Sequence, residues 1–390
     1  FNVFASAQHI NRDSYYGGGQ DPNAYGNTTD LNWMAGSQYV YSFGKCIFMP
    51  ADLTAGIEFN QDKLEDNMWG YHRTVDQKVN IGSAFFQNEW KNEHWGFLIG
   101  GRLDKHNLID HVIFSPRANL RYNPTENINL RFSYSSGFRA PQAFDEDLHV
   151  ENVGGNVAMV ELADNLKEER SQSLSASADI YHRFGAFQVN FLVEGFYTKL
   201  SDVFALTDGE VVDGILTRTR YNAPGARVMG LTLEGKMAYL TKFQVQAGVT
   251  LQQSHYSEPH VWNKEAPAVK KMMRTPNTYG YFTATYTPIK PLSIALSGTY
   301  TGSMLVPHEP VPGFLEKPIT VNTKDFFDIG LKAAYDFKLY KSMNLQVNAG
   351  VQNIFNAYQN DFDKGADRDS GYIYGPSLPR SFFAGVKISY

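Results

Sequence analysis

The 390-residue sequence is poor in several things, and each shortage excludes a class of protein. It has one cysteine, Cys46, so it can form neither an internal disulfide nor a multi-cysteine metal site. Charged residues make up 19%, and the formal net charge is −5, which gives no basic footprint for nucleic acid. No apolar run approaches the ~20 residues that a membrane helix needs. Helical periodicity is almost absent, which excludes bundles and α/β folds; only APQAF (140–144) and ADNLKEERS (163–171) predict short helices. No set of nucleophile, base and orienting group stands out, so the reading is not that of an enzyme. The mean hydropathy of −0.36 looks soluble, but alternating membrane strands average to mild polarity as well.

What is abundant is aromatic residues, 14% of the chain with 23 Tyr and 27 Phe, and alternation. In FQVNFLVEGFYTKL (187–200), Phe187, Val189, Phe191, Val193 and Tyr197 fall on one face, and Gln188, Asn190, Glu194 and Thr198 on the other. Successive side chains of a strand point to opposite faces, so this is strand patterning. The same pattern recurs in INLRFSY (128–134), LTLEGKMAYL (231–240), FQVQAGVTLQQ (243–253) and LQVNAGVQNIF (345–355).

The connections alternate in length. Tight ones fall near 44–52, 91–94, 123–127, 182–186, 240–242, 288–291 and 339–342. Longer ones fall near 13–30, 62–77, 105–112, 138–169, 205–215, 255–276, 306–325 and 357–380. YNAPGAR (221–227) looks like another turn, but the alternation survives only if 217–240 is one strand kinked at Pro224-Gly225. The count is then about sixteen strands, ending in SFFAGVKISY. A soluble sandwich would bury the apolar faces against each other, but sandwiches have fewer, shorter strands and turns of mixed length. A closed membrane barrel accounts for the pattern as a whole, because lipid demands that every backbone group be paired. Its apolar face meets lipid and its polar face lines the lumen, with Trp95, Tyr122, Tyr197, Tyr239 and Tyr300 expected in the interfacial girdles. The expected fold class is therefore all-β, a transmembrane antiparallel β-barrel of about 16 strands.

SYSSGFRAPQAFDEDLH (133–149) and DNLKEERSQSLSASADIYHRFG (164–185) resemble a TonB-dependent outer-membrane receptor. Gly137-Phe138-Arg139-Ala140-Pro141 matches the family's first box; 165–171 departs from its second by lacking both prolines. NAPGARVMGLTLEG (222–235), VQNIFNAYQ (351–359) and GPSLPRSFFAGVKISY (375–390) resemble later strands of that family, in a Bacteroidetes-like style. The resemblance implies a 22-stranded barrel with an N-terminal plug, of which 1–390 is the C-terminal barrel portion, with the plug and first strands upstream of Phe1. It implies active uptake of a scarce nutrient complex, an iron–siderophore, haem or cobalamin, across the outer membrane of a Gram-negative bacterium. The implied partners are outer-membrane lipid, the TonB complex through the upstream region, a small metal-chelate ligand carrying Fe or Co, and a surface lipoprotein; nucleic acid is not among them. The alternative from another class is a 16-stranded passive diffusion porin.

Ligand contacts are expected from aromatic and charged residues of the long loops. The candidates are Trp69, Tyr71 and His72 in NMWGYHR, Tyr15 and Tyr16 in SYYGG, and His260 and Trp262 in HVW, each weighed against ordinary loop packing. Arg139 is a lip candidate able to pair with the acidic run 145–147. His149 lies between the two boxes, where the resemblance implies a haem-ligating histidine; neutral imidazole suits iron. Asp361, Asp363, Asp367 and Asp369 offer oxygen ligands for a structural Ca²⁺, although Gly365 stands where a ligand is wanted and no twelfth-position glutamate follows. No resident cofactor is otherwise expected.

Overall fold

The structure is a computed structural model that describes every residue except 16–23, 149, 154–155, 341, 366 and 377. Sixteen strands form one antiparallel ladder in chain order. They are β1 (Asn2–Tyr15), β2 (Tyr25–Cys46), β3 (Met49–Met68), β4 (Arg73–Lys91), β5 (Trp95–His106), β6 (Ile113–Thr125), β7 (Ile128–Arg139), β10 (Glu169–Phe184), β11 (Phe187–Val212), β12 (Ile215–Tyr239), β13 (Phe243–His260), β15 (Thr278–Ile289), β16 (Leu292–Thr301), β19 (Phe326–Lys338), β20 (Asn344–Gln352) and β21 (Ser381–Ser389). Five short strands sit in the connections: β8 (Glu151–Val153), β9 (Asn156–Leu162), β14 (Val269–Lys271), β17 (Leu305–His308) and β18 (Ile319–Asn322). A four-residue helix, α1 (Asp145–Leu148), lies between β7 and β8. Along the ladder each strand pairs with its neighbours in sequence; among the described residues β1 pairs only with β2, and β21 only with β20.

The sheet has one wet face and one greasy face, and no second layer covers the greasy one. Phe132, Phe191 and Leu251 are 48%, 47% and 48% exposed, whereas a sandwich would have buried them. The polar face is cross-linked instead. Arg102 reaches Glu58 (2.8 Å), Asp104 (2.7 Å) and Ser83 (2.7 Å) across three strands, and Thr232 meets Thr250 at 3.1 Å. Polar groups that satisfy one another suit a lumen, and bare apolar side chains suit acyl chains. Aromatic pairs gather at the tight-turn end: Trp95 stacks on Tyr122 (4.2 Å between centroids), Phe48 on Trp90 (5.6 Å), and Phe187 tilts on Tyr239 (4.6 Å). Tyr300 lies at the other end, donating to Asp325 at 2.8 Å.

Residues Ile215 to Tyr239 form one strand, as the loop alternation requires. Gly225, opposite Ser201, adopts φ +147, and the next residue of β11, Asp202, φ +54, so the chain kinks without reversing. A Cβ at Gly225 would stand 2.5 Å from the Leu200 carbonyl oxygen, so the position calls for glycine.

Three expectations need correction. Residues 140–144 are not helical and 163–171 leads into β10; the helix of this connection is α1, between them. Two expected loops, 62–77 and 205–215, are mostly hairpin: β3 runs to Met68 and β4 starts at Arg73, while β11 and β12 are joined by Asp213-Gly214 alone. The buried face of the first hairpin mixes Asp66 with Leu64 and Met68, and 209–212 of the second are exposed on both faces, so neither carries an apolar alternation to reveal it. VQNIFNAYQ is strand only as far as Gln352.

Candidate functional site: the long-connection end of the barrel

The buried apolar clusters among the described residues all lie at the end with the longer connections. Ala24, Met68 and Tyr71 form one, Ile109, Ile113 and Ala140 a second, and Met304, Val306 and Tyr372 a third. That end is therefore structured, not a fringe of free loops.

The connection from β7 to β10 folds back and is tied to three strands, β1, β4 and β12. Arg73 of β4 donates to the carbonyls of Asp147 (2.7 Å) and Leu148 (3.2 Å), satisfying the last carbonyls of α1. Gln77 exchanges two hydrogen bonds with Ala143, at 2.7 and 3.1 Å. Arg220 of β12 binds the Asp147 carboxylate; both side chains are buried, 8% and 2% exposed. Arg12 of β1 meets Asp145 at 2.9 Å, and Asn222 clasps Lys167 through both backbone groups. Strand β9 extends the sheet by pairing in parallel with β12. Arg139 lays its guanidinium over the Phe144 ring, 3.9 Å from the centroid, and 5.6 Å from that of Phe204, while the acidic run receives Arg12 and Arg220.

Between this connection, the β3–β4 hairpin and the β11–β12 hairpin lies a cavity of about 890 Å³. Tyr71, His72, Arg73, Asp147, Glu161 and Met159 are among the residues that line it. Two of the residues expected from the sequence, Tyr71 and His72, thus reach the same cavity; His72 is held there by a left-handed φ of +50 after the Trp69–Tyr71 turn. Trp69 is 62% exposed at the hairpin tip. Tyr15 packs against Tyr25, centroids 4.7 Å apart. Trp262 is buried, and its indole N–H finds no acceptor. His260 packs against Tyr256 at 4.9 Å. Tyr16 and His149 lie outside the described residues.

A second polar cluster joins the β16–β19 and β20–β21 connections. The His308 ring stacks flat on Tyr372 (3.8 Å, 7°), and its Nε2 faces Asp363 at 2.8 Å. Tyr372 and Tyr374 both donate to Asp361, at 3.3 Å and 2.6 Å. Burial, then the charge and hydrogen bond of Asp361, push the Tyr372 phenol up to about 12. Burial and the Asp361 bond push Tyr374 higher still. Asp369 accepts from the backbone N–H groups of Glu309 (2.9 Å) and Gly371 (2.8 Å), and Glu309 pairs with Arg218 at 3.1 Å. Asp361, Asp363 and Asp369 thus all accept hydrogen bonds from protein donors, and Asp367 is exposed. Among the described residues no three His, Cys, Asp or Glu side chains converge as a metal site.

Arg218, Arg220, His308, Tyr372 and Tyr374 were not singled out by the sequence reading, and Asp147 only as part of the acidic run paired with Arg139. Arg220 stands 73 residues from Asp147 and His308 55 from Asp363, so no local spacing announces those pairs.

The sequence matches the family described as TonB dependent receptor-like, beta-barrel, over residues 1–354. Three similar solved structures show how widely the fold is shared. The ferric enterobactin receptor PfeA, from Pseudomonas aeruginosa in another of its structures and here in complex with BCV-L6, is 17% identical, with a TM-score of 0.71 over 99% of this chain and 60% of that one. The siderophore receptor PirA from Acinetobacter baumannii is 16% identical, with a TM-score of 0.64 over 94% and 55%. The ferric-catecholate import receptor Fiu from K12 E. coli is 14% identical, with a TM-score of 0.66 over 98% and 59%. At these identities the likeness is one of fold. The chain spans less than two thirds of the length of each. No curated protein matches it in sequence. With sixteen ladder strands, a greasy outer face and a family match over most of its length, this chain belongs to the TonB-dependent receptor β-barrel family.

Proposed function

We propose that this chain is the barrel portion of an outer-membrane receptor that takes up an iron–siderophore complex, driven through TonB. The observation that carries the reading is the cavity of about 890 Å³ at the long-connection end of a barrel of this family. Arg73, Lys78 and His72 reach it beside the aromatic Tyr71 and the carboxylates of Asp76, Asp147, Glu161 and Asp213, a mixture of donors, acceptors and a ring suited to a polar ferric chelate. The names of the similar structures, siderophore, ferric enterobactin and ferric-catecholate receptors, favour iron over cobalamin. Haem belongs to the same reading as a second iron source, with His149 as its proposed ligand. Lipid around the barrel, the TonB complex and a surface lipoprotein are its proposed partners. A structural Ca²⁺ near Asp367 stays a subsidiary proposal.

A 16-stranded porin would need β1 to pair with β21, and those two edges do not pair. That favours a receptor over a pore closed by these strands alone.

The test is growth of a deletion strain under iron limitation on single sources: a ferric catecholate, a ferric hydroxamate, haem, and separately cobalamin. Loss of growth on one ferric siderophore, restored by the intact gene and not by an Arg73→Ala/His72→Ala variant, is the expected result. Undiminished growth on every iron source would overturn it. Loss on haem alone that follows His149→Ala would move the assignment to haem.

A further inference from the structure

The greasy face is interrupted by a groove of about 900 Å³ that crosses β10, β11, β12 and β13. Phe132, Leu174, Tyr197, Leu231 and Leu251 are among its walls. Its floor is low because Ala176 and Gly195 stand directly opposite each other on β10 and β11. A Cβ at Gly195 would meet nothing within 4 Å, so no neighbour demands glycine there; the glycine leaves space.

Just above this groove, toward the long-connection end, the same face carries a row of basic residues. Lys199 lies opposite Arg227, Arg227 opposite His255, and His255 opposite Lys271, across β11, β12, β13 and β14. The register runs without a break from the apolar positions Tyr197, Met229 and Leu251, so the parity is the same. Lys199 and Arg227 are exposed and take part in no ion pair among the described residues. The next cation along the rim, Arg170, is by contrast neutralised by Glu168 at 2.8 Å. Like charges directly opposite in a sheet are destabilising, and no carboxylate among the described residues pairs with Lys199 or Arg227 to offset it. A row of this kind immediately above a bilayer-facing apolar band calls for anions from outside the protein.

We propose that this surface holds a lipid with a phosphate-bearing headgroup: the phosphate on Lys199, Arg227 and their neighbours, an acyl chain in the groove over Ala176 and Gly195. The assignment rests on the reading of the greasy face as lipid-facing. An acyl chain suits the apolar walls, and the charge row selects an anionic headgroup over a zwitterionic one.

The experiment uses the intact protein purified in dodecyl maltoside and moved into phosphatidylcholine nanodiscs with graded phosphatidylglycerol, with bound lipid counted by native mass spectrometry. Wild type is expected to keep phosphatidylglycerol in preference to phosphatidylcholine, and to lose it in high salt. Lys199→Gln/Arg227→Gln should weaken retention roughly 30-fold, the loss expected for two cations near a membrane surface. Gly195→Leu, which has room for its side chain, should displace the acyl chain without removing charge. Lys242→Gln/Lys290→Gln, at the tight turns, should change nothing. Equal retention of phosphatidylglycerol by wild type and the Lys199/Arg227 variant overturns the site. A folded protein that keeps no lipid, or that captures another protein instead, overturns it too. If the wild type fails to enter nanodiscs at all, the lipid-facing reading falls first and the site falls with it.

Discussion

At the residue scale, the contact that most organises the mouth is the buried Asp147–Arg220 pair. Two charges nearly out of water cost desolvation, and their attraction repays it only while both are present. Asp147→Ala would leave the Arg220 guanidinium buried beside Phe204 with its main partner gone. The expected cost is roughly 3–5 kcal/mol, felt locally as faster hydrogen exchange and proteolysis of residues 140–168. Asp147→Leu with Arg220→Met should recover most of that order, because an apolar pair of similar size needs no compensation. If the double variant is as loose as the single one, the pair is not what holds the connection. The tyrosine pair supplies a second prediction. Tyr372 titrates near 12 instead of its ordinary ~10, because burial and Asp361 favour the protonated phenol. A raised value means that its contribution is whole below about pH 10 and disappears as pH climbs toward 12. Proteolysis of residues 353–380 should accelerate across that window in wild type, and Tyr372→Phe/Tyr374→Phe should show no such step. Little of this was legible beforehand. Tyr71 and His72 stood out as an aromatic and charged cluster in an apparent loop, but Asp147 with Arg220, and Asp361 with its two tyrosines, are pairings that only the fold creates.

At the element scale, the strands within the bilayer were legible and those beyond it were not. FQVNFLVEGFY announces itself because one face meets lipid and the other meets water, which forces alternation into the residue types. Residues 62–68 and 205–212 belong to the same strands, yet the pattern fades there: Leu64, Asp66 and Met68 share a buried face that holds a carboxylate between two apolar side chains, and 209–212 are exposed on both faces. The kink at Pro224-Gly225 was recoverable from loop alternation, since treating it as a turn would have inverted every later strand. Its chemistry is testable. Gly225→Ala asks an L residue to adopt φ +147 and sets a Cβ 2.5 Å from the Leu200 oxygen. We expect a loss of about 1–3 kcal/mol in urea unfolding. Gly235→Ala, with open space around it, should cost well under half as much. Equal losses would mean that the kink is not strained and that the strand merely tolerates it.

At the scale of the whole molecule, the fold and the proposed uptake depend on which face of a sixteen-strand sheet is turned outward. Burial alone cannot decide this, because a lipid-facing side chain and a solvent-facing one are equally bare; the decision comes from chemistry. Ser177 and Ala178 are adjacent on β10 and point to opposite faces. Ser177 sits opposite Glu194 on one side and Arg131 on the other, among lumen residues. Ala178 sits between Val193 and Leu130 on the greasy face. Both lie far enough along β10 from its tight turn at Gly185 to be near mid-membrane. A lysine at the lipid face near the midplane costs roughly 2–4 kcal/mol, whereas a lumen lysine facing a carboxylate is tolerated. Ala178→Lys should therefore lower the unfolding midpoint of the receptor in phospholipid vesicles by that amount, and Ser177→Lys should leave it within experimental error. The reverse ordering would turn the sheet inside out and overturn the assignment of its faces. Equal effects would place both faces in water, which removes the barrel from the membrane and the proposed uptake with it.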